Sequence, residues 1–317
     1  MSVSTPALIA IRHSLKNYLS DITPSENILV GCSGGADSLA LTYALYKESL
    51  THTFNLIPVI VDHGLQSGSA DIAEHTKQIL RSWGIEQIFL ARAQVNLTDG
   101  IEASARRARY QIFAQALETF PSRKFFLAHT LNDQAETVLL GLARGSGAKS
   151  LSAMADINGV YIRPLLATPR TTTERACQEI GVEYWSDPHN SNEEFTRVRV
   201  RKNILPLMES ELGPGITEAL ARSAKLLRED DAALDSWADS IVDLELATLQ
   251  DLPRAVRTRV LRRAIYAAGA PAGSLSAEHI EPVEALISDW HGQGEISLPG
   301  GVKVSRISGR LSLSTRL

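Results

Sequence analysis

Cysteine is scarce in this chain: Cys32 and Cys177 are the two in 317 residues, and no C-x-x-C pair occurs. That scarcity argues against a disulfide framework, a zinc knuckle or a cysteine-held iron–sulfur cluster. Long apolar runs are missing too, since no stretch approaches the ~20 residues that span a bilayer. Arg12 and Lys16 interrupt the apolar stretch Ala7 to Leu19, which predicts an amphipathic first helix in place of a secretory signal. A cytosolic protein without membrane attachment is expected. Nor is there a large excess of one charge: the net charge is −4, so any RNA contact must come from local basic patches. What remains is an ordinary globular composition, 44% hydrophobic and 21% charged. Its length suits about two domains of roughly 100–200 residues each.

From residue 26 to about residue 190, short apolar runs alternate with helical periodicity. Strands are expected at Asn27–Gly31, Leu56–Val61, Gln87–Ala91 and Lys124–Ala128. Helices are expected at Ser38–Ser49, Ala70–Trp83 and Ile101–Leu117, the last entered through Asn96-Leu97-Thr98-Asp99-Gly100. This alternation predicts an α/β fold, a Rossmann-like parallel sheet covered by helices on both faces. Ligands in such sheets bind beyond the carboxyl ends of the strands, so turns at Ser33, Asp62 and His129 should converge. Past Asp187-Pro188 the alternation stops. A helix from Phe195 to Glu211 with a kink at Pro206 is expected, then a linker at Gly213-Pro214-Gly215. The boundaries predicted are therefore 1–212 for a catalytic domain and 213–317 for a smaller, mainly helical domain. In the latter, helices should cover Ile216–Leu246, Pro253–Ala268 and Ala277–Trp290, before a small hairpin around Leu298-Pro299-Gly300-Gly301.

The stretch Ile28 to Leu41 carries the most information. An apolar strand runs into Ser33-Gly34-Gly35-Ala36-Asp37-Ser38, and Leu39-Ala40-Leu41 continues as a helix. Strand, glycine turn and helix in that order make a phosphate site: backbone N–H groups form a nest and the helix N-terminus adds partial positive charge. Ser33 and Ser38 can donate hydroxyl hydrogen bonds, and Asp37 is placed to hold a Mg²⁺ bridging phosphate oxygens. Neither a Walker ending nor G-x-G-x-x-G is present. The pattern S-G-G-x-D-S resembles the loop of the N-type ATP pyrophosphatases, the PP-loop family, which split ATP between its α and β phosphates.

A second constellation follows the Lys124 strand in His129-Thr130-Leu131-Asn132-Asp133-Gln134-Ala135-Glu136-Thr137. Asp133 and Glu136 are three apart and share a helix face, suiting an ammonium group, a metal or ion-pair partners elsewhere in the fold. Arg144-Gly145-Ser146-Gly147 is a basic loop leaving the same helix. Together with Val61-Asp62-His63-Gly64-Leu65, Glu102 to Tyr110, Leu151-Ser152-Ala153-Met154, Arg163-Pro164-Leu165-Leu166, Asp187, Asn190, Arg197, Arg201 and Pro206, these segments resemble the tRNA(Ile)-lysidine synthetases.

The resemblance implies a PP-loop ATP pyrophosphatase fold and a tRNA-modifying ligase. ATP and Mg²⁺ would adenylate the carbonyl oxygen at carbon 2 of the wobble cytidine in tRNA(Ile) with a CAU anticodon, and free L-lysine would attack that carbon and displace AMP. It further implies that Asp133 and Glu136 bind lysine, while Asp37, Arg109, His129 and Arg201 line the reaction centre. Arg106 is the alternative to Arg109, and Arg107 and Arg199 read as solvated helix charges. The chain departs from the family pattern at Thr130, Asn132 and Val198. Candidate tRNA contacts are Arg144, Arg197 and a stripe of Arg259, Arg262 and Arg263 opposite Val256, Val260 and Ala264. The same stripe equally describes a solvated helix face. The chain resembles the short form of the family. Rival readings are a cytidine thiolase, which the cysteine pattern disfavours, a small-molecule amidating ligase, and a regulator that binds nucleotide without turning it over. The sequence does not choose between a monomer and a homodimer.

Overall fold

The computed structural model describes residues 5–64, 68–94, 101–145, 147–186 and 192–315, the side chains of residues 101 and 102 aside. Leu65, residues 96–100, the Glu102 side chain, Ser146, Asp187, Pro188 and Asn190, all used in the sequence reading, lie outside the described residues. The chain divides into two compact units, Met1–Lys225 and Leu226–Leu317.

The first unit opens with α1 (Pro6–Leu19) and then alternates as β1 (Asn27–Gly31), α2 (Ala36–His52), β2 (Asn55–Asp62), α3 (Ser69–Ser82), β3 (Phe89–Arg92) and α4 (Ile101–Thr119). It continues through β4 (Phe125–Phe126), α5 (Leu131–Ala143), α6 (Ala148–Leu151), β5 (Ile157–Asn158), β6 (Tyr161–Ile162) and α7 (Arg170–Glu179). The six strands are ordered β3-β2-β1-β4-β6-β5, parallel throughout except for the β5–β6 pair. The expected α/β class is what the chain adopts. The side-chain alternation of β1 shows why both faces are covered. Ile28 and Val30 point to a core shared with α1, α2, α3 and α7, while Leu29 points to a core with Phe113 and Ala116 of α4. The β5–β6 hairpin has two residues per strand around Gly159, too short to leave a period in the sequence.

Strand order reverses between β1 and β4: β2 and β3 lie to one side of β1, and β4, β6 and β5 to the other. The loops after β1 and β4 therefore flank a topological switch point, where open α/β sheets hold their ligands. One loop is Ser33–Gly35, and the other carries His129.

Beyond residue 192 lie α8 (Thr196–Arg199), a π-helical turn over Val200–Ile204, α9 (Leu205–Glu211) and α10 (Ile216–Ser240), within which the two units divide. The kink expected at Pro206 is resolved as this π-turn immediately before it. Proline lacks an N–H and its ring crowds the carbonyl four residues back, so the helix widens instead of breaking. Ala135 of α5 packs against Val200 and Leu205 of this segment.

The second unit adds α11 (Leu246–Asp251), α12 (Arg254–Ala267), α13 (Ala277–Ser288), β7 (Ile296–Ser297), β8 (Val302–Ile307) and β9 (Arg310–Thr315). The expected hairpin is a three-stranded antiparallel sheet, β7-β8-β9. Its β8–β9 turn, Ser308-Gly309, has positive φ at both central residues (47° and 82°), the geometry that matches strand twist.

Candidate active site

The loop after β1 is shaped by its own short side chains. Ser38 Oγ accepts the Ser33 N–H at 3.1 Å and donates to the Gly35 carbonyl at 2.9 Å. Gly34 turns with φ at +83°, and its carbonyl accepts the Trp185 N–H at 3.0 Å. Gly35 is the N-cap of α2 and supplies no side-chain cap, so the first N–H groups of Ala36, Asp37 and Ser38 face the switch point. Such an N-terminus favours phosphate. Asp37 extends from this turn toward α7: its Oδ1 accepts the Thr173 hydroxyl and its Oδ2 lies 3.2 Å from Arg170 Nε. Burial raises the Asp37 pKa and nearby Asp133 adds to the rise, while Arg170 and Thr173 oppose it.

On the far side of the switch point, the two oxygens of Asp133 have separate tasks. Oδ2 accepts the Thr130 N–H at 2.8 Å and its hydroxyl at 3.0 Å, starting α5. Oδ1 faces three guanidinium groups, Arg170 at 3.2 Å and Arg197 and Arg201 at 3.6 Å each. Burial pushes the Asp133 pKa up, but Arg170, Arg197 and the Thr130 N–H outweigh it and the net shift is downward. Glu136, with its side chain fully buried, lies at 2.7 Å from Arg197 Nε and 2.6 Å from Arg201 Nε. Arg201 adds a second bond of 3.0 Å from Nη2. Arg197 on α8 and Arg201 within the π-turn are four residues apart, which brings both onto one carboxylate. Glu136, expected beside lysine, and Arg197, expected against tRNA, are thus paired with each other, the Glu136 side chain buried and Arg197 partly exposed.

The two departures beside this carboxylate have structural roles. Thr130 caps α5, and Asn132 Oδ1 caps α7 by accepting the Arg170 N–H at 2.9 Å. The Gln134 amide makes a two-bond clamp on Met154, with Nε2 donating to its carbonyl at 2.7 Å and Oε1 accepting its N–H at 2.9 Å. This clamp joins the 133–137 motif to the 151–154 motif.

His129, just after β4, has a buried Nδ1 without a hydrogen-bond partner among the described residues. Burial is the main cause lowering its pKa to about 4; Asp133 opposes this, and Arg163, Arg197 and Arg106 add to it. The imidazole is therefore neutral at pH 7. Unfolded histidine titrates near 6.5, so between pH 6.5 and 4 the unfolded chain binds the extra proton. Stability from this group is full above 6.5 and declines as pH falls through that window, by about 3 kcal/mol in all. His129→Gln should lose less stability than the parent between pH 6.5 and 4 in urea unfolding. Identical pH slopes would show that His129 is not buried in its neutral form.

Arg109 of α4 donates from Nε to His63 Nε2 at 3.4 Å, linking it to the turn after β2. Arg106 lies 5.1 Å from the centroid of the Tyr110 ring and is the α4 arginine whose charge acts on His129. Arg144 is the C-cap residue of α5 and is exposed. The α12 stripe is different. Arg259 pairs with Asp231 and Asp235, Arg262 donates to the Leu275 carbonyl at 2.6 Å, and Arg263 ties Asp239 and the Ala238 and Ile241 carbonyls. The face expected to be free for phosphates is thus engaged within its own unit. The aspartates weaken the field that Arg259 and Arg263 present to an outside anion, while Arg262 meets a neutral carbonyl and keeps its charge.

The sequence reading places no site residue on α7, yet Arg170 and Thr173, one turn apart, both hold Asp37. The available signal was Pro169 opening a helix whose first turn carries Arg170 and Thr173 at i, i+3 spacing. Among the described residues no cluster of three or more His, Cys, Asp or Glu side chains forms a metal cage. Mg²⁺ is held differently, through one or two carboxylates plus substrate phosphates. Asp37 fits that use, since a carboxylate has about four acceptor sites and two are occupied here.

Residues 8–208 match the PP-loop domain family and residues 244–312 match the TilS substrate binding domain family. The tRNA(Ile)-lysidine synthase of Thermobifida fusca (strain YX) is 44% identical over 322 residues, covering 99% of either chain. That of Streptomyces coelicolor is 48% identical over 295 residues, covering 90% of this chain and 84% of the relative. Among solved structures, the U34-tRNA thiolase NcsA from Methanococcus maripaludis with its [4Fe-4S] cluster aligns with a TM-score of 0.59. It is 18% identical and covers 70% of this chain and 80% of its own, a likeness of fold alone. The cysteines here are buried, Cys177 being pushed up to about 12 chiefly by burial, so neither supplies a thiolate at neutral pH. With a PP-loop at the switch point and these relatives along nearly its whole length, the chain belongs to the tRNA(Ile)-lysidine synthase family.

Proposed function

We propose that the protein ligates L-lysine to carbon 2 of the wobble cytidine of tRNA(Ile) with a CAU anticodon, using ATP and releasing pyrophosphate and AMP. The observation that carries this reading is the pairing of a phosphate nest after β1 with an acidic and arginine-rich cluster after β4, joined through Arg170. In the first half-reaction the C2 carbonyl oxygen attacks the α-phosphate and pyrophosphate departs. The open N–H groups of Ala36, Asp37 and Ser38 receive the phosphates, with the Ser33 and Ser38 hydroxyls beside them. Mg²⁺ on Asp37 supplies charge neutralisation on the phosphates when bound.

In the second half-reaction the lysine amine attacks C2, a C–N bond forms, and the C2–O bond breaks so that AMP carries the oxygen away. Asp133 receives the lysine ammonium through Oδ1. Glu136 acts from behind, fixing Arg197 and Arg201 against the developing negative charge. Free lysine has a side-chain pKa of about 10.4, so its amine must lose a proton before attack. His129, held neutral by burial, offers a ring nitrogen that can accept a hydrogen bond from the neutral amine and orient it, the proton having passed to solvent. Arg109 and Arg106 line the entrance from α4.

The anticodon loop presents an unpaired base, which lowers the cost of extruding it. Arg144 contacts its backbone from the exposed loop, and the second unit, matching a substrate-binding family, holds more of the tRNA. No described helix is long and apolar enough to cross a membrane, and a cytoplasmic site of action suits a tRNA substrate. The test is incorporation of radiolabelled lysine into tRNA(Ile) with a CAU anticodon, with methionine tRNA as control. Label on the isoleucine transcript alone supports the reading, and pyrophosphate release without label overturns it.

A further inference from the structure

Arg170 belongs to neither expected subsite and touches both. Its Nε lies 3.2 Å from Asp37 Oδ2 and its Nη2 lies 3.2 Å from Asp133 Oδ1. Its backbone is fixed by Asn132, which caps its N–H, and by the Leu131 N–H on the Thr168 carbonyl at 3.0 Å. Thr173, one turn later, holds the other oxygen of Asp37. The start of α7 is therefore anchored while the guanidinium alone can change partners.

The charges around it point to such a change. Asp37, Asp133 and Glu136 face Arg170, Arg197 and Arg201, and Glu136 takes the closest bonds of the last two. Asp37 and Asp133 share Arg170 as their nearest cation. A triphosphate in the nest beside Asp37 brings several negative charges to within reach of that guanidinium. Arginine binds phosphate through the same planar fork it uses for carboxylate. Once the guanidinium leaves, Asp133 is a buried carboxylate short of its nearest counter-ion, a costly state that an incoming ammonium relieves.

We propose that Arg170 is a positioning residue that passes its charge between the subsites, neutralising Asp133 before nucleotide binds and moving to the phosphates afterwards. Lysine is then seated firmly only beside bound ATP. This rests on the reading that Asp133 receives lysine. Because linkage is reciprocal, lysine must tighten nucleotide binding by the same factor.

The test is calorimetric titration of lysine into the full chain without tRNA, with and without α,β-methylene ATP and Mg²⁺. The parent should bind lysine at least tenfold more tightly with the nucleotide analogue. R170Q should show less than a twofold difference, while its affinity without nucleotide is no weaker than the parent's. If R170Q loses its cooperative melt, R170K carries the test. An ammonium lacks the fork, so coupling should fall at least threefold. If binary lysine binding is below detection, the same ratio is read from the lysine KM at limiting and saturating ATP. Coupling that survives both substitutions, or that is missing in the parent, overturns the proposal. A parent that labels tRNA with lysine while coupling is unchanged in R170Q refutes this inference alone. A parent that never labels tRNA refutes the function beneath it.

Discussion

Glu136→Gln should abolish lysine incorporation and lower the melting temperature of the protein by about 10 °C, on the scaling of roughly 2–4 °C per kcal/mol for a unit of this size. The carboxylate is fully buried and accepts three short bonds from Arg197 and Arg201. Glutamine preserves its shape but replaces one acceptor oxygen by a donor, which then faces a guanidinium donor. Removing one side of a buried ion pair costs about 3–5 kcal/mol, because the partner's charge stays buried and uncompensated. Against a domain stability of about 5–15 kcal/mol that is a large fraction. Loss of activity follows from the same geometry, since Arg201 and Arg197 are oriented by Glu136 and also face Asp133 at 3.6 Å. Asp133→Asn should be milder for stability, because the remaining amide oxygen can still accept the Thr130 N–H. It should chiefly weaken lysine use while ATP binding survives. Thermal melts and labelled-lysine assays on both variants decide this. A Glu136→Gln protein that melts with the parent and keeps its lysine KM would mean the arginines do not depend on Glu136.

The separation of these two acids shows what the sequence could and could not convey. Helical spacing put Asp133 and Glu136 on one face, and the structure agrees. Spacing says nothing about depth along that face. Glu136, one turn further into α5, meets Arg197 of α8 and Arg201 of the π-turn, and its side chain is buried between them. Strand and helix periodicity delivered the sheet and the loop after β1, because those signals are local and repeat. Arg170 left only a slight trace, its i, i+3 spacing with Thr173 behind Pro169. Its role depends on α7 being placed against α2 and α5, a tertiary fact that no local pattern carries. The α12 stripe was legible only in part for a related reason: a helical wheel shows which side a charge is on, but not that Asp231, Asp235 and Asp239 from α10 pair with Arg259 and Arg263. Arg144 differs from these because it is exposed at the end of α5, followed by Gly145.

Gly34→Ala should reduce lysine-dependent pyrophosphate release by at least 100-fold, since misplacing reacting groups by about 1 Å costs on that order. Two separate strains meet at this residue. Its φ of +83° lies in the left-handed region, where an L-residue costs roughly 1–2 kcal/mol. A Cβ there would also stand 2.4 Å from Thr76 Oγ1 on α3, closer than any real contact. Thr76 has little room to yield, being buried with its hydroxyl donating to the Ile72 carbonyl at 2.8 Å. The loop must therefore move, and with it the N–H groups that receive phosphate and the carbonyl that Trp185 holds. The two strains can be told apart by a double substitution. Thr76→Ala removes Oγ1 and leaves the Thr76 Cβ at 3.6 Å from the new methyl, an ordinary contact. Gly34→Ala with Thr76→Ala should recover about tenfold of the lost rate, consistent with relief of an overpacking cost of about 1–3 kcal/mol. The remainder measures the backbone strain that only glycine avoids. Full turnover in the single Gly34→Ala protein would show that the nest does not need this turn, and the phosphate site after β1 would have to be abandoned.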